Sequence, residues 1–128
     1  MGDVRYPDQL KYHPEHAWVS LDGDVATVGI SWFAQDALGE VIFFDPPQVG
    51  AAVTAGEAAG ELESLKAVSE VIAPISGEVV AVNGSLEGSP EPINDDPYGA
   101  GWLLKLRAED GAELAALLES DAYQASLS

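Results

Sequence analysis

Lys66 is the only cation between Lys11 and Lys105, and it stands among four acids, Glu57, Glu61, Glu63 and Glu70. An ammonium on a flexible four-carbon stem is the usual target of covalent acylation, which removes its charge. The local residues leave two readings open: a solvated lysine weakly paired with nearby carboxylates, or a lysine displayed on a turn for modification. His13 and His16 flank Pro14 and Glu15 and could begin a metal site. Pro14 opposes a helix there and the spacing is not that of a helical ligand pair, so a polar pair at an N-terminal turn is the expectation and no metal is assigned. The acidic loop Glu87, Glu91, Asp95 and Asp96 lacks the Asp/Asn–Gly alternation of a calcium loop and reads as a solvated face. GxSxG, GxGxxG and GxxxxGK[ST] patterns are absent. With no cysteine, and with both histidines in one short turn, no nucleophile–base pair is assembled. The sequence predicts no catalytic residue and a chain that is not an enzyme.

The elements that must position Lys66 are short. Strand-like runs occupy Ala17–Leu21 and Val25–Ile30, joined by the turn Asp22-Gly23-Asp24. Ser31 can cap a short helix over Trp32–Leu38 that Gly39 stops. Glu40–Phe44 is the most apolar strand candidate, closed by Asp45-Pro46-Pro47. Gly50, Gly56 and Gly60 punctuate a turn-rich stretch over Val49–Gly60. Val71–Pro74 and Glu78–Val82 read as strands about the turn Ile75-Ser76-Gly77, Gly84–Tyr98 as a long loop, and Trp102–Leu106 as a further strand. Leu114, Leu117 and Leu118 have helical spacing, residues 1–9 read as an irregular arm, and the tail from Ser120 carries little signal. Many short strands with Gly/Pro turns imply a sandwich or small barrel with helices at its margins. Glu61–Val68 stays ambiguous. It is made mostly of good helix formers with Leu62, Leu65 and Val68 three apart, yet strand-like neighbours on both sides argue for a hairpin.

The chain has 128 residues, 22 Asp+Glu against 5 Lys+Arg, a formal net charge of −17, and 47% hydrophobic residues. That is one domain's worth of sequence with enough apolar material for a core, which disorder does not allow. Five cations cannot neutralise a run of phosphates, so nucleic acid is excluded as a partner, and anionic membrane surfaces are disfavoured for the same reason. No apolar stretch approaches the roughly 20 residues that span a bilayer. The charged start MGDVRYPDQL has no apolar core of a signal peptide, and Tyr6 stands where a myristoylation motif wants Ser or Thr. Absence of cysteine suits a reducing, cytoplasmic setting. Acidic excess favours basic protein partners through electrostatic steering.

The segment Glu63-Ser64-Leu65-Lys66-Ala67-Val68-Ser69-Glu70 resembles the lipoate-bearing segment of the H proteins of the glycine cleavage system, whose pattern is E-S-x-K-A-x-S-[DE]. The resemblance continues through Ala73–Val79, Val82-Asn83, Ile93–Gly99 and Gly101-Trp102-Leu103. Upstream it includes Val28-Gly29-Ile30, Ala34-Gln35 and Leu38–Val41, and it covers about residues 10–118 in order. It implies a mainly β fold: a flattened β-barrel or sandwich hybrid of lipoyl-domain type, with short helices and a C-terminal helix. Residues 1–128 would form a single lipoyl-carrier domain, with 1–9 as an N-terminal arm and 111–128 as a C-terminal helical segment. Lys66 would lie at a hairpin tip and carry lipoate in amide linkage, with Glu63, Ser64, Ala67, Ser69 and Glu70 as its recognition surroundings.

The implied partners are a pyridoxal-phosphate glycine decarboxylase that loads an aminomethyl group, a tetrahydrofolate-dependent aminomethyltransferase that removes it, and a dihydrolipoamide dehydrogenase that reoxidises the dithiol. A lipoate ligase or lipoyl transferase would attach the cofactor, and the carrier is expected to be a monomer. Two other roles share these residues: a lipoyl relay that donates its group to other enzymes, and an unmodified interaction module of the same fold. Biotin carriers, by contrast, place Met on each side of the lysine where Leu65 and Ala67 stand here. The family usually reads His-Glu-Trp where this chain has His16-Ala17-Trp18. That glutamate is associated with holding the loaded arm in a surface cleft. Ala17 cannot replace its hydrogen bond, whereas Glu15, two residues away, points the same way if the segment is extended.

Overall fold

The computed structural model describes residues 6–109 and 111–127. Among the described residues, nine short strands form two antiparallel sheets. The larger follows the order β1 (Lys11–Tyr12), β2 (Ala17–Asp22), β3 (Val25–Ile30), β9 (Leu104–Ala108), β8 (Gly77–Val82), β5 (Ala52–Val53). The smaller follows β4 (Val41–Asp45), β6 (Ala58–Ser64), β7 (Val68–Ile72). Inward residues of both, among them Val19, Val28, Leu104 and Leu106 from one and Val41, Phe44, Leu62 and Val71 from the other, share one buried cluster. The result is the sandwich alternative: the sheets face each other across a core without closing into a barrel. No helix among the described residues is long and apolar enough to cross a membrane.

The first hairpin and first helix form as their residues dictate. Gly23 takes a φ of +66° between β2 and β3. Ser31 caps α1 (Trp32–Leu38), its hydroxyl accepting from the Ala34 amide, and Gly39 ends it at φ +77° while donating to the Gln35 carbonyl.

The ambiguous segment is a hairpin. Along β6, Glu61 and Glu63 point out while Leu62 and Ser64 are buried, the period of a strand. Leu65 and Val68, the other members of the helical triplet, are exposed.

Other boundaries move. The expected loop over Gly84–Tyr98 contains a 3-10 turn (Gly84–Leu86), capped by the Asn83 side chain, and α2 (Pro92–Asp95), which begins at a proline. Leu86 and Ile93 from these pieces are buried in the main core. The strand expected at Val71–Pro74 starts three residues earlier, at Val68, because it pairs with β6 from the turn onwards. Residues 111–116 form a 3-10 helix, and α3 (Ser120–Ser126) rises from the low-signal tail.

Tyr6, inside the supposed irregular arm, is buried with Leu10, Tyr12, Trp18 and Tyr123 in a second cluster; residues 1–5 of that arm lie outside the described residues. Tyr12 and Tyr123 stack at 4.8 Å and fasten α3 to β1. Trp18 lies across Gly29 on the paired strand, and its indole N–H donates to the Pro97 carbonyl at 3.0 Å.

A Cβ on Gly29 would come within 2.6 Å of Trp18 Nε1. Gly29→Ala therefore forces the indole off its site, and overpacking of this kind costs about 1–3 kcal/mol. The expected result is a fall in Tm of about 4 °C for each kcal/mol in a chain of this size. A variant melting with the parent would show that the strand pair can open at no cost.

Candidate functional site

β6 and β7 pair through Glu63 and Val68, so the residues between them, 64–67, must turn. The Ser64 amide donates to the Ala67 carbonyl at 2.8 Å. The Ser64 hydroxyl is buried inside the turn, accepts from the amides of Lys66 (3.3 Å) and Ala67 (3.1 Å), and lies 3.2 Å from the Ala67 carbonyl, to which it donates. One short side chain thus satisfies the backbone that reverses the chain. The Leu65 amide donates to the Glu40 carbonyl at 3.3 Å, which fastens the turn to the start of β4.

Lys66 is exposed at the tip, and its stem passes over Gly39: a Cβ there would lie 3.3 Å from Lys66 Cε. Among the described residues the ion pairs are Lys11–Glu119 and Arg107–Glu78, and no carboxylate pairs Lys66. Glu63, Ala67 and Glu70 are exposed around it and Ser69 is half-buried. Glu57 lies beyond the far end of the hairpin, before β6 begins.

One cavity borders the turn and a second lies beside the Gly39 connection. The first, of about 290 Å³, runs between the start of β2, α1 and β7, with walls that include Glu15, Ala17, Phe33, Leu38, Ala67 and Glu70. Glu15 and Ala17 do therefore border the same space, although Glu15 lies in a turn and not in a strand. The other, of about 370 Å³, lies beneath Gly39 and is rimmed by Asp36, Glu40, Glu91 and Asp95.

Sequence reasoning missed the residues that hold this arrangement. The Asn94 side-chain amide donates to the Gly39 carbonyl (2.8 Å) and to Gln35 Oε1 (3.1 Å), while its oxygen accepts from the Val41 amide (2.9 Å). That clamp fixes the connection against which Leu65 hydrogen-bonds. Its sequence signals are an asparagine inside a supposed loop and its place in the Ile93–Gly99 stretch of the family resemblance, neither of which names its partners. His16, also in the cavity wall, has a left-handed backbone with φ +78°. Its Nδ1 meets the Tyr123 hydroxyl at 2.7 Å, which in turn lies 2.6 Å from the Ser31 hydroxyl. Burial pushes the Tyr123 phenol up to about 12, against the Ser31 hydrogen bond, and holds His13 and His16 below the ordinary histidine value. The His13 Nδ1 accepts from the Glu15 amide at 2.9 Å, so both imidazoles hold turns and cavity wall together.

The fold and the site define a class: two-sheet β domains with an exposed, unpaired lysine on a braced hairpin beside an open cleft. The comparisons with known proteins narrow that class. The family model for the glycine cleavage H-protein matches residues 10–128, and the chain belongs to that family. It is 52% identical to the glycine cleavage system H protein of Mycobacterium avium, an alignment spanning 99% of this chain and 98% of that one. It is 51% identical to that of Symbiobacterium thermophilum, over 93% of each. The crystal structure of the Mycobacterium marinum H protein superposes with a TM-score of 0.86 at 39% identity, covering 94% of this chain and 98% of that one.

Ser64→Ala removes the turn's internal hydrogen-bond partner and should destabilise the protein by about 1–2 kcal/mol, seen as a lower Tm with the fold retained. An unchanged Tm would mean that water replaces the hydroxyl.

A base whose pKa is depressed by folding gives stability that is complete above its unfolded value, about 6.5, and is lost as pH falls below it. His16→Asn keeps a residue that tolerates the left-handed backbone. It should reduce the loss of Tm between about pH 7.5 and 5.5 by the share that His16 protonation contributes. An equal loss in both proteins would remove His16 from that account.

Proposed function

We propose that Lys66 carries lipoate in amide linkage at Nζ, and that residues 1–128 act as one lipoyl-carrier domain. The carrier takes an aminomethyl group from glycine decarboxylase to aminomethyltransferase and is returned to its oxidised form by dihydrolipoamide dehydrogenase. The observation that carries this reading is the exposed, unpaired Lys66 at a braced turn within Glu63-Ser64-x-Lys66-Ala67-x-Ser69-Glu70. The residues fit the group. Ser64 holds the backbone while the lysine stem is free over Gly39, where no side chain obstructs it. The adjacent cleft offers mostly apolar walls from Ile30, Phe33, Ala34 and Leu38 to an acyl chain.

When attached, the lipoyl group supplies the sulfurs that accept the aminomethyl group and are later reoxidised, so a chain without cysteine suffices. The protein's own part is to position and to steer. The hairpin holds Lys66 at a fixed point on the surface, and Glu63, Ser64, Ala67, Ser69 and Glu70 present it to a lipoate ligase or lipoyl transferase. No step of the transfer is assigned to a side chain of this chain, which acts as a carrier component and not as a catalyst. The cysteine-free sequence suits the reducing cytoplasm, where we place it.

Lys66→Arg keeps the positive charge at an exposed turn, where substitutions change stability by about 0.5 kcal/mol or less. It removes the acylatable amine, because a guanidinium stays protonated below a pH of roughly 12. Intact mass should show the lipoyl increment on the parent and none on the variant, with equal melting and with no dihydrolipoamide dehydrogenase turnover of the variant. A lipoyl mass on the variant would move the site to Lys11 or Lys105. A collapsed melting transition would make Lys66 structural.

A further inference from the structure

The three-stranded sheet that carries Lys66 has an outward face left uncovered by the rest of the chain. Strand register places its residues in two rows. Phe43, Glu63 and Val68 form the row nearest the lysine turn, and Asp45, Glu61 and Glu70 form the next. Phe43 is 53% exposed and Val68 59%, and Leu65, at the turn itself, is 74% exposed. Phe43 and Val68 flank Glu63 at this end of the sheet, and exposed apolar side chains of this size leave surface that a partner can cover. The second row sets three carboxylates side by side across adjacent strands. Like charges directly opposite one another on a sheet are destabilising, and no cation among the described residues pairs with any of the three. The row therefore costs folding stability and returns none within the chain.

We propose that this sheet face docks a protein surface bearing lysine or arginine beside an apolar contact, and that this surface belongs to the enzyme that loads the arm. The inference rests on the carrier reading of Lys66. Phe43 and Val68 supply apolar contacts on either side of Glu63, and the carboxylate row supplies the sign of charge that brings a basic partner in and sets its orientation. The docking rows lie on the strands below the turn and leave Lys66 itself free, so docking and entry of the arm do not compete. A carrier served by successive enzymes needs rapid release as well as capture, and charge at the edge of a modest apolar contact provides both.

The test uses the lipoylated chain as the varied substrate of a glycine decarboxylase. Asp45→Asn/Glu61→Gln should raise KM about three- to tenfold at low salt with kcat unchanged, since lost steering charges act on encounter. Raising the salt should close that gap, because screening shortens the reach of the parent's charges from about 10 Å at 0.1 M to about 3 Å at 1 M. The double variant should melt at or above the parent temperature, which a merely structural role for the row would not allow. Phe43→Ser should raise KM at every salt concentration. A KM unmoved by the double variant, on a chain whose mass shows the lipoyl group, overturns the docking face alone. A chain that never acquires the lipoyl mass overturns the carrier reading and this one with it. A parent that elutes as a dimer, with a monomeric Phe43→Ser variant, gives the face to a second copy of this chain.

Discussion

Burial of Leu62 is the constraint on which the site depends. Its side chain is 1% exposed in the core shared by both sheets, and burying a leucine is worth about 1.5–3 kcal/mol. A helix over the same residues would bring Leu62, Leu65 and Val68 to one face, but nothing on the protein would receive that stripe. A strand sends Leu62 and Ser64 inward and Glu61 and Glu63 out. Once Ser64 is inside, its hydroxyl has turn amides to satisfy, and Lys66 is left at the apex.

A chain of hydrogen bonds then joins the apex to the rest of the molecule. Asn94 grips Gly39 and Val41 on either side of Glu40. Glu40 holds the Leu65 amide. The backbone beneath Lys66 is thus tied to α1, to β4 and to α2, while the lysine side chain itself has no partner. A fixed base under a free stem limits the ordering cost to the few torsions of the arm.

How much of this could be read in advance depended on the range of the forces involved. The β2–β3 hairpin and α1 were legible because their turn and cap residues act within a few positions: Gly23, Ser31 and Gly39 each stand where local backbone geometry asks for them. Lys66 was marked by its motif. Over Glu61–Val68 the local residues left helix or hairpin open, because intrinsic propensity and tertiary burial disagreed there; burial won, giving the hairpin that the family resemblance implies. The pieces inside the supposed loop and tail were hidden because their anchors are distant in sequence. Ile93 enters a core built by other strands. Tyr123 stacks on Tyr12 and reaches Ser31 and His16. The clamp by Asn94 spans more than fifty residues to Gly39, so the pattern around Asn94 does not say what it grips.

Strands β4 and β7 are both open edges of their sheet. With Ile42, Phe43 and Val68 exposed along them, such edges are natural templates for one copy to add to the next in a growing fibril. Asp45, Glu61 and Glu70 stand across that sheet as gatekeepers, since a second copy laid on or beside it would set carboxylate against carboxylate. A net charge of −17 on 128 residues adds a general repulsion between copies to that local one. The edges stay open to a partner of opposite charge and closed to aggregation.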